Sequence, residues 1–170
     1  MGLYDGLEGG DTASTAHVAK ILDAPVLLVV DAGGASRSVH AMIQGYAGFD
    51  PAVRVSGVIL NRIGSPRHLA MIEETKSLPI YGGVPRRNDL AVESRHLGLA
   101  MATETGMMTG FGAVMEEACD LSGITDLARS APPLPVPVDT QGRPEARVRI
   151  GIAKDAAFCF YYADNLDRLV

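Results

Sequence analysis

Residues 25–31, Pro-Val-Leu-Leu-Val-Val-Asp, carry the strongest signal for the fold class. The stretch is continuously apolar rather than alternating, which is typical of a parallel strand whose two faces are both covered by helices. Two further strands are predicted at 53–61 and 78–84, each separated from the strand before it by a helical pattern. Because parallel strands need crossover connections, the sequence predicts an α/β fold with a doubly wound parallel sheet.

Helix signals lie between and around these strands. The pattern predicts helices over 12–22, from an N-cap at Ser36 to about residue 45, and from Ser65-Pro66 to about residue 77. A last helix over 104–119 is expected to close the domain. Ligands of such sheets bind outside the carboxyl ends of the strands, so polar residues at the strand ends are the first candidates for a site.

Charge and composition argue against several classes of protein. The 170 residues contain 15 Lys and Arg against 20 Asp and Glu, which gives a net charge of -5 and a pI near 5.3. This balance argues against nucleic acid as a partner and against binding to an anionic membrane. No apolar run approaches the roughly 20 residues of a membrane span, and the only cysteines, Cys119 and Cys159, fit a reducing compartment. A cytoplasmic location is expected.

The two ends of the sequence suggest an interior piece of a longer protein. Residues 1–10 form a Gly-rich loop of the kind that follows a strand, and 131–146 contain five prolines, which favour an extended linker. Residues 147–153 read as a strand, and an amphipathic helix begins near Asp164. We therefore expect most of one domain at 1–130, a linker at 131–146, and the start of a second domain at 147–170.

Three polar residues near the N-terminus are candidates for chemistry. Asp5, flanked by glycines in a loop, could hold Mg²⁺ or approach a phosphorylated group, or it could only cap a turn. Ser14 and Thr15 could donate to an anionic ligand near a helix N-terminus, but as caps they need no ligand.

A second set of candidates lies at the predicted strand ends. Asp31 could bind Mg²⁺ or substrate, or accept hydrogen bonds from the Gly33-Gly34 turn. Asn61 could read a base edge through its amide or fix a turn, and Arg62 could pair with phosphate or carboxylate. The sequence contains no G-x-x-x-x-G-K-[ST] loop to cradle phosphates and no zinc-type Cys/His cluster.

Several stretches together resemble one family, the cobyrinic acid a,c-diamide synthases. The resemblance runs along nearly the whole chain. The stretches that carry it are Met-Gly-Leu-Tyr-Asp-Gly at 1–6, Gly-Asp-Thr-Ala-Ser-Thr-Ala-His-Val-Ala-Lys-Ile-Leu at 10–22, Ala-Pro-Val-Leu-Leu-Val-Val-Asp-Ala at 24–32, Gly-Val-Ile-Leu-Asn-Arg-Ile-Gly-Ser-Pro-Arg-His at 57–68, Glu-Ser-Arg-His-Leu-Gly-Leu at 93–99, and Asp-Ala-Ala-Phe-Cys-Phe-Tyr-Tyr at 155–162.

The resemblance implies a P-loop NTPase domain of the dethiobiotin-synthetase type, here without its N-terminal P-loop part, followed by the start of a class I glutaminase domain. It implies ATP and Mg²⁺ as cofactors, a corrinoid tetrapyrrole and glutamine as substrates, and a reaction in which a side-chain carboxylate is activated as an acyl phosphate and then amidated. A homodimer is compatible with it. The family's glutaminase nucleophile falls outside these residues, so the isolated chain is expected to be inactive.

Carried over residue by residue, the resemblance places Asp5 at the reacting carboxylate and the metal. It places Ser14 and Thr15 near substrate, and Asn61 with Arg62 at the adenine end of ATP. Asp31 is assigned to substrate binding from its position at the end of a strand. The roles of His68, Arg95 and His96 stay open. Two alternatives stay open as well: a nickel sirohydrochlorin a,c-diamide synthase, and a non-catalytic partitioning-type ATPase of the P-loop class.

Overall fold

A computed structural model describes residues 2–75, 77–89, 110–135, 148–155, 158 and 161–169. The chain divides into two compact units, Met1–Leu134 and Pro135–Val170. The predicted domain boundaries remain a prediction, because most of the proline-rich segment and the start of the last segment lie outside the described residues. None of the described helices is long and apolar enough to cross a membrane.

The first unit is built on a parallel sheet of three strands in the order β1-β2-β3: β1 Val26–Asp31, β2 Val55–Ile63 and β3 Ile80–Pro85. Five helices accompany the sheet: α1 Thr15–Leu22, α2 Ser38–Phe49, α3 Pro66–Glu73, α4 Phe111–Ala118 and α5 Leu121–Arg129. A short 3-10 helix, Leu7–Gly9, precedes α1. The parallel α/β architecture that the sequence predicts is confirmed.

Two neighbouring glycines of β3 show that helices lie on both faces of the sheet. A Cβ on Gly83 would touch the side chain of Leu69 in α3, whereas a Cβ on Gly82 would collide with Cys119 at the α4–α5 junction. Successive residues of a strand point to opposite faces. Helix α3 and the α4–α5 junction therefore cover opposite faces of β3, as a doubly wound sheet requires.

The main core lies on the α2 and α3 side of the sheet. Its largest fully buried members are Ile43 from α2, Leu60 and Val58 from β2, and Ile72 from α3. His40 is 4% exposed, and its two ring nitrogens lie 2.8 Å from the Ile72 carbonyl oxygen and 2.9 Å from the Ser77 hydroxyl. This imidazole links α2 to α3 and to the segment that leads into β3.

The expectation of two covered faces fails in part at β1. Leu28 and Val30 are buried, but Val29 between them is 62% exposed. Val29 lies opposite Ile59 of β2, which is itself buried. Leu27, on the same face as Val29, is half-buried, so among the described residues this face of β1 is covered only in part.

Several predicted boundaries are wrong. The predicted N-cap Ser36 is not the cap of α2, because the helix begins at Ser38 and its N-cap, Arg37, makes no side-chain capping bond. Helix α2 also continues through Gly45 to Phe49, past the predicted end near residue 45, because a single glycine costs a helix only about 1 kcal/mol and need not end it. Strand β2 continues past Asn61 to Ile63, where it pairs with Pro85 of β3.

Other helix ends differ too. Helix α1 begins at Thr15 rather than residue 12, and α3 ends at Glu73 rather than near residue 77. The part of the predicted 104–119 helix before Gly110 lies outside the described residues, and α5 was not predicted: Asp120 accepts from the Gly123 N–H at 2.9 Å and caps a new helix.

The second unit is described only in part. Its one helix there is α6, Ala163–Asp167, which agrees with the predicted start of a helix. The predicted strand at 147–153 is not formed in residues 148–155, where every described residue is exposed. A strand needs a partner for its ladder, and the described residues supply none for this segment.

Candidate functional site

The carboxyl edge of the sheet brings three predicted site residues together. Asp31, the last residue of β1, lies opposite Asn61 of β2, and Arg62 follows directly. The carboxyl ends of parallel strands meet at one edge, so this proximity follows from the topology. The loops after β1 and β2 extend from the same edge.

Asp31 and Arg62 form a two-pronged ion pair. The Arg62 Nε lies 2.8 Å from Asp31 Oδ1, and its Nη2 lies 2.7 Å from Oδ2. The Gly33 backbone N–H also donates to Oδ1, at 2.9 Å. This N–H and then the guanidinium hold the pKa of the Asp31 carboxyl below its ordinary value. Both oxygens of Asp31 are therefore engaged within the protein.

Arg62 has an unusual backbone conformation. Its φ of 61° lies in the left-handed region, which a residue with a long side chain seldom adopts. In this turn its N–H donates to the Asn61 Oδ1 at 2.9 Å. The carboxamide oxygen is thus held by the backbone, and among the described residues nothing accepts from the Asn61 amino group.

The N-terminal loop holds the other predicted site residues. Asp5 is exposed, and its Oδ2 accepts from the Gly2 N–H at 2.7 Å, which is the hydrogen bond expected of a turn cap. Ser14 is 2% exposed and caps α1 by accepting from the His17 N–H at 3.0 Å, while Thr15 is exposed. No hydrogen bond or ion pair of the described residues joins Asp5 to the cluster at the sheet edge.

The role of His68, which the sequence leaves open, is structural. Its Nδ1 accepts from the Gly64 N–H at 3.1 Å, so its Nε2 carries the hydrogen donated to the Ala35 carbonyl at 2.6 Å. Gly64 follows β2 and Ala35 follows β1. The imidazole therefore ties together the two loops that border the Asp31–Arg62 pair. Arg95 and His96 lie outside the described residues.

Lys20 of α1 was also missed. Its ammonium pairs with Asp11 in the N-terminal loop and, at 2.9 Å, with Asp50 after α2. The lysine lowers the pKa of both carboxyl groups, and the two carboxylates raise the pKa of the lysine. A lone lysine within an apolar helical pattern gives no signal of two partners so distant in sequence.

We expect Lys20→Met to destabilise the first unit and to flatten its dependence on acid pH. A carboxyl whose folded pKa is lowered contributes stability above its ordinary pKa of 3.8, and this contribution is lost as the pH falls through the folded value. Melting temperatures between about pH 6 and pH 3 should therefore drop more steeply for the wild type than for Lys20→Met. Lys154→Met, at an exposed lysine outside this network, is the control. Parallel curves for all three proteins would contradict the role of Lys20.

Protein ligands for a metal ion are few in the described part of the chain. The described residues contain no group of three or more His, Cys, Asp or Glu side chains able to hold one. Mg²⁺ is commonly held by one or two carboxylates together with water and substrate phosphates. Asp5 offers one exposed carboxylate, which fits this manner of binding.

Comparisons with known proteins agree on one group. A family model described as an AAA domain matches residues 7–94. Over 99% of its length the chain is 42% identical to a cobyrinate a,c-diamide synthase of Gloeobacter violaceus, 45% to one of Syntrophotalea carbinolica, and 39% to a hydrogenobyrinate a,c-diamide synthase of Streptomyces coelicolor. It covers 39%, 39% and 44% of these relatives, so it spans about two fifths of their length. No solved structure matches the chain significantly.

Proposed function

The chain belongs to the AAA domain family and is homologous over nearly its whole length to cobyrinate a,c-diamide synthases, and on this premise we propose that the protein carrying it amidates side-chain carboxylates of a corrinoid ring. The identity of about 40% along 99% of the chain is the observation that carries the proposal. ATP would activate the carboxylate, and glutamine would supply the nitrogen. An enzyme of this reaction is a carbon–nitrogen ligase. Because the reaction consumes ATP and glutamine, a cytoplasmic location is favoured.

The chemistry of amide formation explains the need for ATP. A carboxylate is a poor electrophile, so one of its oxygens attacks the γ-phosphorus of ATP, and ADP leaves. Ammonia then attacks the carbonyl carbon of the acyl phosphate, and phosphate leaves as the amide forms. Mg²⁺, when bound, neutralises charge on the transferring phosphoryl group.

We assign the roles in this reaction to two regions of the chain. Asp5 faces the reacting carboxylate and holds the metal, with Ser14 and Thr15 nearby. Asn61 and Arg62 bind the adenine end of ATP. Asp31 was predicted to bind substrate, but the Gly33 N–H and the Arg62 guanidinium engage both of its oxygens, which supports a role in holding Arg62 at the sheet edge.

Three candidate substrates are to be separated by experiment. One of the relatives carries the name hydrogenobyrinate a,c-diamide synthase, so a metal-free corrinoid is a specific second candidate. The full-length protein should be assayed with ATP and glutamine on cobyrinic acid, on hydrogenobyrinic acid and on nickel sirohydrochlorin. Amidation of none of the three would contradict the proposed function.

We expect the 170-residue chain by itself to release no ammonia from glutamine and to hydrolyse no ATP. It has no phosphate-cradling loop. Cys119, the cysteine within the described residues, is half-buried. Burial raises the pKa of its thiol, which disfavours a nucleophilic thiolate. An ammonia assay and a phosphate-release assay on the purified chain test this expectation. Robust glutaminase activity would contradict it.

A further inference from the structure

The carboxyl edge of the sheet carries three arginines that no acid neutralises. Arg37 is the N-cap of α2, Arg67 lies in the first turn of α3, and Arg86 directly follows β3. All three residues are exposed. Within the described part of the chain none of their guanidinium groups forms an ion pair. Because each follows the carboxyl end of a different strand, the topology places them along one edge.

The acids at this edge have arginine partners of their own. Asp31 is held by Arg62. Asp89, shortly after β3, accepts from the Nε of Arg87 at 2.8 Å and from its Nη2 at 2.7 Å. Each pair is neutral as a whole, so the three remaining arginines set the sign of the charge here. The edge is therefore positive in a chain whose net charge is -5.

Two contacts hold the segments that carry these arginines together. The His68 Nε2 donates to the Ala35 carbonyl at 2.6 Å, and two of the arginines lie within two residues of this contact. The Arg86 N–H donates to the Ile63 carbonyl at 3.0 Å, which ties the third arginine to the end of β2. Neighbouring strands lie about 4.8 Å apart, so three strand ends span about 10 Å. We call Arg37, Arg67 and Arg86 the arginine row.

The stability of the helices does not explain this placement. Arg37 and Arg67 stand at the N-termini of α2 and α3, and a helix N-terminus favours negative charge. The two arginines therefore oppose the helix dipoles rather than complement them. For an anionic ligand the two effects act in the same direction, because both a helix N-terminus and a guanidinium attract anions.

Resting on the proposed function, we propose that the arginine row binds carboxylates of the corrinoid that do not react. A guanidinium pairs with a carboxylate through two parallel hydrogen bonds. A corrinoid carries several carboxylate side chains spaced around its ring, and a row about 10 Å long suits separate carboxylates. The triphosphate of ATP has the same kind of charge, and the experiment distinguishes the two ligands.

The test replaces the three arginines in the full-length protein. Arg37→Gln, Arg67→Gln and Arg86→Gln should each raise the KM for cobyrinic acid about threefold, and the triple variant about thirtyfold. We expect kcat to stay within about twofold and the KM for ATP to be unchanged, because the row lies away from the reacting atoms. Added KCl should raise the KM for cobyrinic acid more steeply in the wild type than in the triple variant. A merely structural role would not change this salt dependence.

Equilibrium binding supplies a readout that does not depend on turnover. The wild type should bind cobyrinic acid more tightly than its methyl ester, which keeps the ring but lacks the charges, and the triple variant should narrow this difference. Arg54→Gln is the matched control, because it removes the same charge at the opposite edge, directly before β2, where Arg54 donates to the Asp23 carbonyl at 3.0 Å. It should leave both KM values unchanged. Melting curves show whether each variant is folded.

The outcomes separate this inference from the proposed function. If the wild type amidates cobyrinic acid and the triple variant keeps its KM and its salt dependence, the arginine row is overturned and the function stands. A rise confined to the KM for ATP would overturn the assignment to corrinoid carboxylates. If the wild type amidates no corrinoid but binds cobyrinic acid more tightly than the triple variant does, the function is overturned and the binding site stands. Neither amidation nor binding would overturn both.

Discussion

Asp5→Asn in the full-length protein should lower kcat for amidation by about two orders of magnitude, or roughly 3 kcal/mol, with little change in folding stability. The substitution keeps the shape of the side chain but removes a charge that acts mainly in the transition state. The fold should tolerate it, because the Asn carboxamide oxygen can still accept from the Gly2 N–H that Asp5 binds at 2.7 Å.

Glu8→Gln provides the matched control. Glu8 is an exposed acid in the same loop, and its neutralisation should leave both kcat and the melting temperature unchanged. Amidation of the corrinoid substrate and a melting curve are to be measured for all three proteins. If Asp5 is only a turn cap, the Asn variant would keep both its stability and its full activity, and full activity would contradict the catalytic assignment.

The sequence predicts the sheet well because the relevant signals are local. Apolar runs mark all three strands, and the Ser65-Pro66 pair marks the start of α3, where Ser65 accepts from the His68 N–H at 3.1 Å. A parallel order then follows from the helices between the strands. The same local reasoning misses α5, although Asp120 and the apolar residues Leu121, Ile124 and Leu127 at helical spacing carry a signal for it.

The site is predicted less completely, since its geometry depends on contacts between distant parts of the chain. Asp31, Asn61 and Arg62 are recognisable in the sequence as polar residues at strand ends, and the topology brings them to one edge. Nothing in the sequence indicates that Arg62 takes a left-handed backbone or that it grips Asp31, 31 positions away. The sheet creates that contact by bringing the ends of β1 and β2 side by side.

Helices packed closely on both faces of β3 leave no room for side chains at two adjacent positions, Gly82 and Gly83. Gly82 lies beneath the α4–α5 junction, where Asp120 N–H donates to the Tyr81 carbonyl at 2.7 Å and Cys119 forms a bridge to Gly82 itself. A side chain at position 82 would hold this junction away from the strand. The absence of a side chain therefore permits the close packing that joins α4 and α5 to the sheet.

We expect Gly82→Ala to destabilise the first unit by about 3 kcal/mol, because the added methyl group meets atoms that cannot move aside. A Cβ there would lie 2.5 Å from the Cys119 Sγ and 2.6 Å from the Ala118 carbonyl oxygen. Gly83→Ala meets only side-chain carbons of Leu69, which can rotate, so about 1 kcal/mol is expected. Gly48→Ala, in an open position on α2, should be neutral or stabilising by up to about 1 kcal/mol.

Urea unfolding of the three variants measures these differences in the free energy of unfolding. Adding Cys119→Ala to Gly82→Ala should recover only part of the loss, because the Ala118 carbonyl oxygen belongs to the backbone and remains in place. Equal losses for Gly82→Ala and Gly83→Ala would show that the α4–α5 junction can withdraw from β3 as easily as a leucine side chain rotates. The close approach at Gly82 would then not be what joins these helices to the sheet.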